Sequence, residues 1–166
     1  MTVDENVQNE LAHARRFAEE GEVAIMEGDL REAQRYAGRT GLDISSQVAE
    51  IEGVGYRKAV PVKLARARTW ADKGLATAME SCLISANECA RRVEQDISSE
   101  VSAIEGVGYR NAVPLDLKSA REFADIGKVT TMGNHLRLAQ RYANKIGQDI
   151  SSQVAEIEGV GYRNSV

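Results

Sequence analysis

Apolar and small residues recur along this chain at intervals of three and four, the spacing of one helical face, and do not alternate as a half-buried strand would. Leu11, Ala14, Phe17, Ala18, Gly21 and Met26 form a first stripe. The same stripe returns as Leu64, Ala67, Trp70, Ala71, Gly74, Met79 and as Leu117, Ala120, Phe123, Ala124, Gly127, Met132. It predicts an amphipathic helix of about five turns. Pro61 and Pro114 stand where that helix would open, and there a missing N–H costs little because first-turn donors have no partner anyway. Glu27-Gly28-Asp29, Glu80-Ser81-Cys82 and Gly133-Asn134-His135 predict the break that follows. A second stripe, Leu30, Ala33, Tyr36, Ala37, Thr40, Ile44, Val48 and Ile51, keeps one face for about six turns and predicts a longer helix. Asp43, Asp96 and Asp149 offer the alternative of capping a separate third helix. The glycine-free run Arg91-Arg92-Val93-Glu94 favours continuity. Gly53, Gly106 and Gly159 each follow a glutamate that closes the stripe, and so fit the left-handed residue just past a helix end.

These stripes repeat with a period of 53 residues: Ile-Glu-Gly-Val-Gly-Tyr-Arg occurs at 51–57, 104–110 and 157–163. The expected fold is all-α, with three tandem 53-residue helical hairpins forming a short solenoid or a compact bundle. The boundaries are an N-terminal extension at 1–7, then repeats at 8–60, 61–113 and 114–166, together one structural domain. The core is expected from Leu, Ala, Val, Ile and Met, with an aromatic layer of Phe17, Trp70 and Phe123. Tyr36 and Tyr142, with Cys89 between them in register, should line the contacts between repeats. Ala14, Ala18 and Gly21 and their copies make a smooth face, which lets a second helix approach toward the short end of the usual spacing of about 8–10 Å.

The balance of 43% hydrophobic and 28% charged residues is that of an ordinary globular chain. No run approaches the roughly 18 apolar residues of a membrane span, and the polar, acidic start, Met1 to Asn9, does not read as a secretory signal. No membrane role and a cytoplasmic location are expected. Cys82 and Cys89 lie seven residues apart in the middle copy, roughly 10 Å along one helix, too far to bridge, and are expected to pack as small hydrophobes. The net charge of −4 is unevenly spread. The first copy carries seven basic against ten acidic residues, the second seven against seven and the third seven against six, with Asp4 and Glu5 in front. Such a gradient would favour head-to-tail association, within the reach that salt screening leaves.

The stretch Gly28-Asp29-Leu30-Arg31-Glu32-Ala33-Gln34-Arg35-Tyr36-Ala37 resembles the second helix of tetratricopeptide-type repeats in its Gly-Asp start and its Ala and Tyr spacing. The resemblance covers about ten residues per copy. The period is 53 rather than that family's 34, so it implies similarity of construction and no membership. A second resemblance runs from Ile51 to Ala59 and again from Ile104 to Ala112. It looks like the helix-hairpin-helix motif of DNA-binding proteins, whose hydrophobic-x-Gly-hydrophobic-Gly hairpin presents backbone N–H groups to a phosphate. It implies nucleic-acid binding through Gly-Val-Gly loops as the alternative function. Pro61 and Pro114 follow too soon for that family's second helix, and the acidic chain disfavours a duplex.

Divergence among the copies is uneven. Asp43 to Arg57 is identical to Asp149 to Arg163 and differs from Asp96 to Arg110 at three positions, whereas the first helices differ at most surface sites. Either an inter-repeat joint or a repeated binding surface would constrain the segment in this way. Tyr56, Arg57, Tyr109, Arg110, Tyr162 and Arg163 are the candidate partner-contacting residues. The third copy keeps the heptapeptide although only Asn164, Ser165 and Val166 follow, which points to docking on another chain or back on its own unit.

No catalytic motif accompanies these features. Glu10-x-x-His13 has half of a di-iron helix-bundle signature, but His135 lacks the matching glutamate. There is no Cys-x-x-Cys, no Gly-x-x-x-x-Gly-Lys and no Gly-x-Ser-x-Gly. The expectation is a non-catalytic helical-repeat scaffold or assembly subunit with no cofactor and no metal. Its partner would be a protein, itself included, with nucleic acid as the less favoured ligand.

Overall fold

The computed structural model describes residues 2–166, all of whose regular structure is helical. The helices are α1 (Val3–Glu20), α2 (Val23–Thr40), α3 (Ser45–Asp72), α4 (Ala76–Arg92), α5 (Ser98–Asp125), α6 (Val129–Lys145) and α7 (Ser151–Asn164). They pair in chain order, α1 with α2, α3 with α4 and α5 with α6, while α7 lies against α5 and α6. The chain divides into two compact units, Met1–Ala65 with Cys82–Ile97 and Arg66–Ser81 with Ser98–Val166. None of the described helices is long and apolar enough to cross a membrane.

The short helices bury residues of the expected stripes, although Met26, Met79 and Met132 belong to α2, α4 and α6 and not to the helix before. Val7, Leu11, Ala14 and Ala18 are the buried face of α1, and Met26, Leu30, Ala33 and Ala37 that of α2, both at intervals of four, three and four. A capping box opens α1: the Thr2 hydroxyl accepts from the Glu5 N–H, and the Thr2 N–H donates to Glu5 Oε2 at 2.6 Å. The segment expected as an N-terminal extension is therefore helical from Val3, and Val7 within it is fully buried. Met1 lies outside the described residues.

The breaks fall elsewhere than expected. Glu27–Asp29, Glu80–Cys82 and Gly133–His135 lie inside α2, α4 and α6. The chain turns instead at Gly21, Gly74 and Gly127, whose φ angles are 73°, 69° and 68°. Each turn closes through the same bond: Glu22 N–H to Phe17 O, Leu75 N–H to Trp70 O and Lys128 N–H to Phe123 O, at 2.9–3.0 Å. This is a Schellman termination. The glycine is required twice over at Gly74 and Gly127. A side chain there would suffer the left-handed backbone, and its Cβ would run into the Asn111 and Asn164 carbonyls respectively. Helix α1 thus ends before Met26, and Gly21, Gly74 and Gly127 are caps that also pack against neighbouring backbone.

The long second helix is also interrupted, as the Asp43, Asp96 and Asp149 alternative required. Gly41, Glu94 and Gly147 take φ angles of 69°, 54° and 66°. Leu42, Gln95 and Gln148 then donate back five residues, to Ala37, Ala90 and Ala143. Asp43 accepts from the Ser45 N–H and Asp149 from the Ser151 N–H, near 3.0 Å, opening the next helix. Propensity favoured continuity at Glu94, but burial overrides it. Ile44, Ile97 and Ile150 just past the breaks are at most 5% exposed, and only a reversed chain brings them inside.

Pro61 and Pro114 do not open helices; they sit inside α3 and α5. A proline in a helix interior costs about 3 kcal/mol. Both rings face solvent, where water can take up the carbonyl freed one turn back. On one side Tyr56, Ala59 and Val60 are buried, on the other Leu64, Ala67 and Ala71. At about 1.5–3 kcal/mol for each large apolar side chain, keeping α3 straight through Pro61 wins.

Gly53, Gly106 and Gly159 are likewise interior helical residues and not left-handed caps. Phe17, Trp70 and Phe123 are half-buried and form no central layer. Phe17 meets His13 edge-on, Phe123 stacks on His135, and the Lys73 ammonium lies 5.2 Å from the Trp70 ring.

Neighbouring helices approach closely at the second glycine of Gly-Val-Gly. Gly55 on α3 lies beneath the Met26 thioether and against the Ala18 methyl. Gly108 on α5 meets Met79 and Ala71 in the same way, and Gly161 on α7 meets Met132 and Ala124. A methyl on any of these glycines would overlap the methionine sulfur. Met26, Met79 and Met132 are at most 1% exposed, so the displaced side chain has nowhere open to go.

Two substitutions separate backbone strain from crowding. Gly147→Ala meets open space and should cost about 1 kcal/mol from the left-handed backbone alone. Gly127→Ala adds a clash with Asn164 and should cost about 1–3 kcal/mol more. Conversely, Glu94→Gly should stabilise the protein by about 0.5–1 kcal/mol, since relief of left-handed strain exceeds the added chain entropy. Denaturant unfolding of the three variants measures all of these.

Candidate binding surfaces

The six candidate residues all fall on helices. Ile51–Ala59 and Ile104–Ala112 are uninterrupted helix, so the hairpin needed to offer Gly-Val-Gly amides to a phosphate is not formed. The backbone donors there are committed to the helical ladder. The tyrosines and arginines of the heptapeptide point different ways, because adjacent residues on a helix diverge by about 100°.

Tyr56 and Tyr109 are buried, at 4% and 3% exposure. The Tyr56 hydroxyl donates to Glu27 Oε1 at 2.6 Å, and the Arg92 guanidinium lies 5.0 Å from its ring centre. Tyr109 stacks on Tyr142 with centroids 5.3 Å apart and planes 17° from parallel, and the Lys145 ammonium sits 5.4 Å from its ring. Tyr142 therefore lies at a helix contact, as the repeat register predicted. Tyr162, in an identical segment, is 59% exposed. Gly133 stands 53 residues on from Glu80, so the third copy lacks the carboxylate that Glu27 and Glu80 provide.

Burial, followed by the hydrogen bond to Glu27 and its charge, pushes the Tyr56 phenol well above its ordinary value near 10. Burial does the same at Tyr109, with the Glu80 and Glu105 carboxylates adding to it and Arg141 opposing. Burial also raises the Cys89 thiol, so this cysteine behaves as a small hydrophobe and not as a nucleophile.

Arg57, Arg110 and Arg163 are exposed. Their guanidinium groups lie back over Gly53, Gly106 and Gly159, one turn earlier on the same helix. One turn from each arginine is a shallow groove. Ala18, Ile51 and Val54 floor the first, with Arg15, Glu19 and Glu50 at its rim. Ala71, Ile104 and Val107 floor another, with Arg68, Asp72 and Glu100 beside them. Ala124, Ile157 and Val160 floor a third, rimmed by Arg121, Asp125 and Glu156. These grooves were missed from sequence because their two walls come from different stripes, and only the identity of 43–57 with 149–163 hinted at them.

No protein-family model, curated protein or solved structure matches this chain.

Several other polar side chains pair between helices. His13 Nδ1 lies 3.0 Å from Asp29 Oδ2, and His135 Nδ1 lies 3.0 Å from Asp116 Oδ1. Asn111 Nδ2 donates to the Ala71 carbonyl at 3.0 Å and Asn164 Nδ2 to that of Ala124 at 3.2 Å, each tying off the end of the preceding long helix. Lys58, at the same register, instead reaches Glu19 at 3.8 Å.

Since the folded protein holds the Tyr56 and Tyr109 phenols neutral, their contribution is complete below the unfolded value near 10 and is lost as pH rises further. Ultraviolet titration should show these two of the five tyrosines ionising only together with loss of helix. Free ionisation of all five before any unfolding would contradict their burial.

Proposed function

We propose that this chain is a non-catalytic scaffold built from three helical-hairpin repeats of 53 residues, and that it recognises protein through a groove presented once per repeat. The observation that supports this reading most strongly is the groove itself. Three times at the same sequence spacing, an Ala-Ile-Val floor is flanked by an arginine and carboxylates, and a further exposed arginine lies one turn away. A small apolar floor with a charged rim suits an apolar side chain of a partner segment, oriented by an adjacent acidic or amide group. Arg57, Arg110 and Arg163 are the gripping residues in this scheme. Tyr56 and Tyr109 of the same heptapeptide hold neighbouring helices together.

Duplex binding by the same segment is the weaker reading, since it needs exposed loop amides and a basic face, and the net charge is −4.

The test is affinity capture from cell extract with the whole chain and with an Arg57→Glu, Arg110→Glu, Arg163→Glu variant. All three side chains are exposed, so helicity should be unchanged by circular dichroism. Retention of the partner should fall by about tenfold or more, in line with the loss of charged anchors at an interface. Equal retention by the two proteins would remove the grooves from the reading.

A further inference from the structure

We propose that one protein partner is a second copy of this chain, bound head to tail, with Tyr162 of one copy seated beside Tyr36 and Arg39 of the other. This deepens the scaffold reading and rests on it.

The template lies within the chain. Tyr109 stacks on Tyr142 under Lys145, and Tyr56 lies under Arg92, the residue 53 positions before Lys145. Buried with the first tyrosine are Ala112 and Val113, and with the second Ala59 and Val60, all at most 1% exposed. Tyr162 carries the same segment to a surface where it is left open, and Val166 in the matching register is fully exposed.

The complementary seat is at the other end of the sequence. Tyr36 and Arg39 stand 106 residues before Tyr142 and Lys145, two full periods. Arg35 and Arg39 both lie over the Tyr36 ring, at 5.4 and 5.6 Å, so the cation is already placed. Whereas Tyr142 is buried, Tyr36 is only half-buried. By the 33-residue separation that joins Tyr109 to Tyr142, the residue in register with Tyr36 is Val3, a smaller, half-buried side chain on the first turn of α1. The incoming tyrosine would form a stacked aromatic pair with Tyr36.

Charge favours the same orientation. The first copy has three more acids than bases, 10 against 7, with Asp4 and Glu5 in addition, while the third has one more base than acids, 7 against 6. A contact between two unlike surfaces is heterologous, which makes a specific complementation test possible.

Sedimentation equilibrium of the whole chain should show an average mass that rises with concentration. Tyr162→Ala and Arg39→Glu, both at exposed side chains, should each remain monomeric alone with unchanged helicity. Mixed in equal amounts, they should form one-to-one dimers, because the tyrosine intact in one meets the seat intact in the other. A wild-type chain that stays monomeric throughout, a Tyr162→Ala protein that still associates, or a mixture that does not dimerise would each overturn the proposal. Both variants keep Arg57, Arg110 and Arg163. Failure here with a groove partner still captured would sink self-association and leave the scaffold standing.

Discussion

Close approach of three helices at a residue with no side chain is the constraint on which the rest depends. Gly55, Gly108 and Gly161 each accept a buried methionine thioether from one neighbouring helix and an alanine methyl from another. A glycine inside a helix costs roughly 1 kcal/mol relative to alanine, and the sites that bear this cost hold the tightest contacts. Methionine suits the opposing position because its unbranched, polarisable side chain adapts to an irregular gap.

With the crossing set, the turns have little freedom. The left-handed glycines at 74 and 127 end a helix and at once lie against the backbone of α5 and α7 respectively, where Asn111 and Asn164 tie off the freed carbonyls. A helix end, a turn and an inter-helix contact are thus one feature seen three ways. The prolines are tolerated for the same reason: both flanks of α3 and of α5 are held by burial, and the proline ring itself looks outward. Each of these helices can then run 28 residues, long enough to serve one helix pair with its first half and another with its second.

That arrangement divides the labour within one heptapeptide. Tyr56 and Tyr109 face inward to join helices, Arg57 and Arg110 face outward beside a groove, and the glycine just before each tyrosine makes room for a methionine. Selection on a joint and selection on a surface would both preserve such a segment. The distinction drawn from sequence between those two explanations therefore dissolves once adjacent residues are seen to point opposite ways.

Helical class, period, the alanines of the short stripes, and the place of Tyr142 at a helix contact were all legible in the letters, because a 3.6-residue rhythm survives whatever the helices pack against. Helix ends were not. Pro61 read as a start and Gly53 as a stop, since both residues favour those places in an isolated helix. Glu94 read as helix because nothing local forbids it. In each case the deciding term is burial against a distant part of the chain: Met26 on Gly55, Leu64 beyond Pro61, Ile97 beyond Glu94. Local preferences are worth about 1 kcal/mol apiece, or about 3 for proline, and a buried apolar side chain is worth about as much. Tertiary packing, which no window of sequence displays, therefore settled whether the helix runs on at Gly53 and Pro61 and breaks at Glu94, and which face of the repeated segment meets solvent.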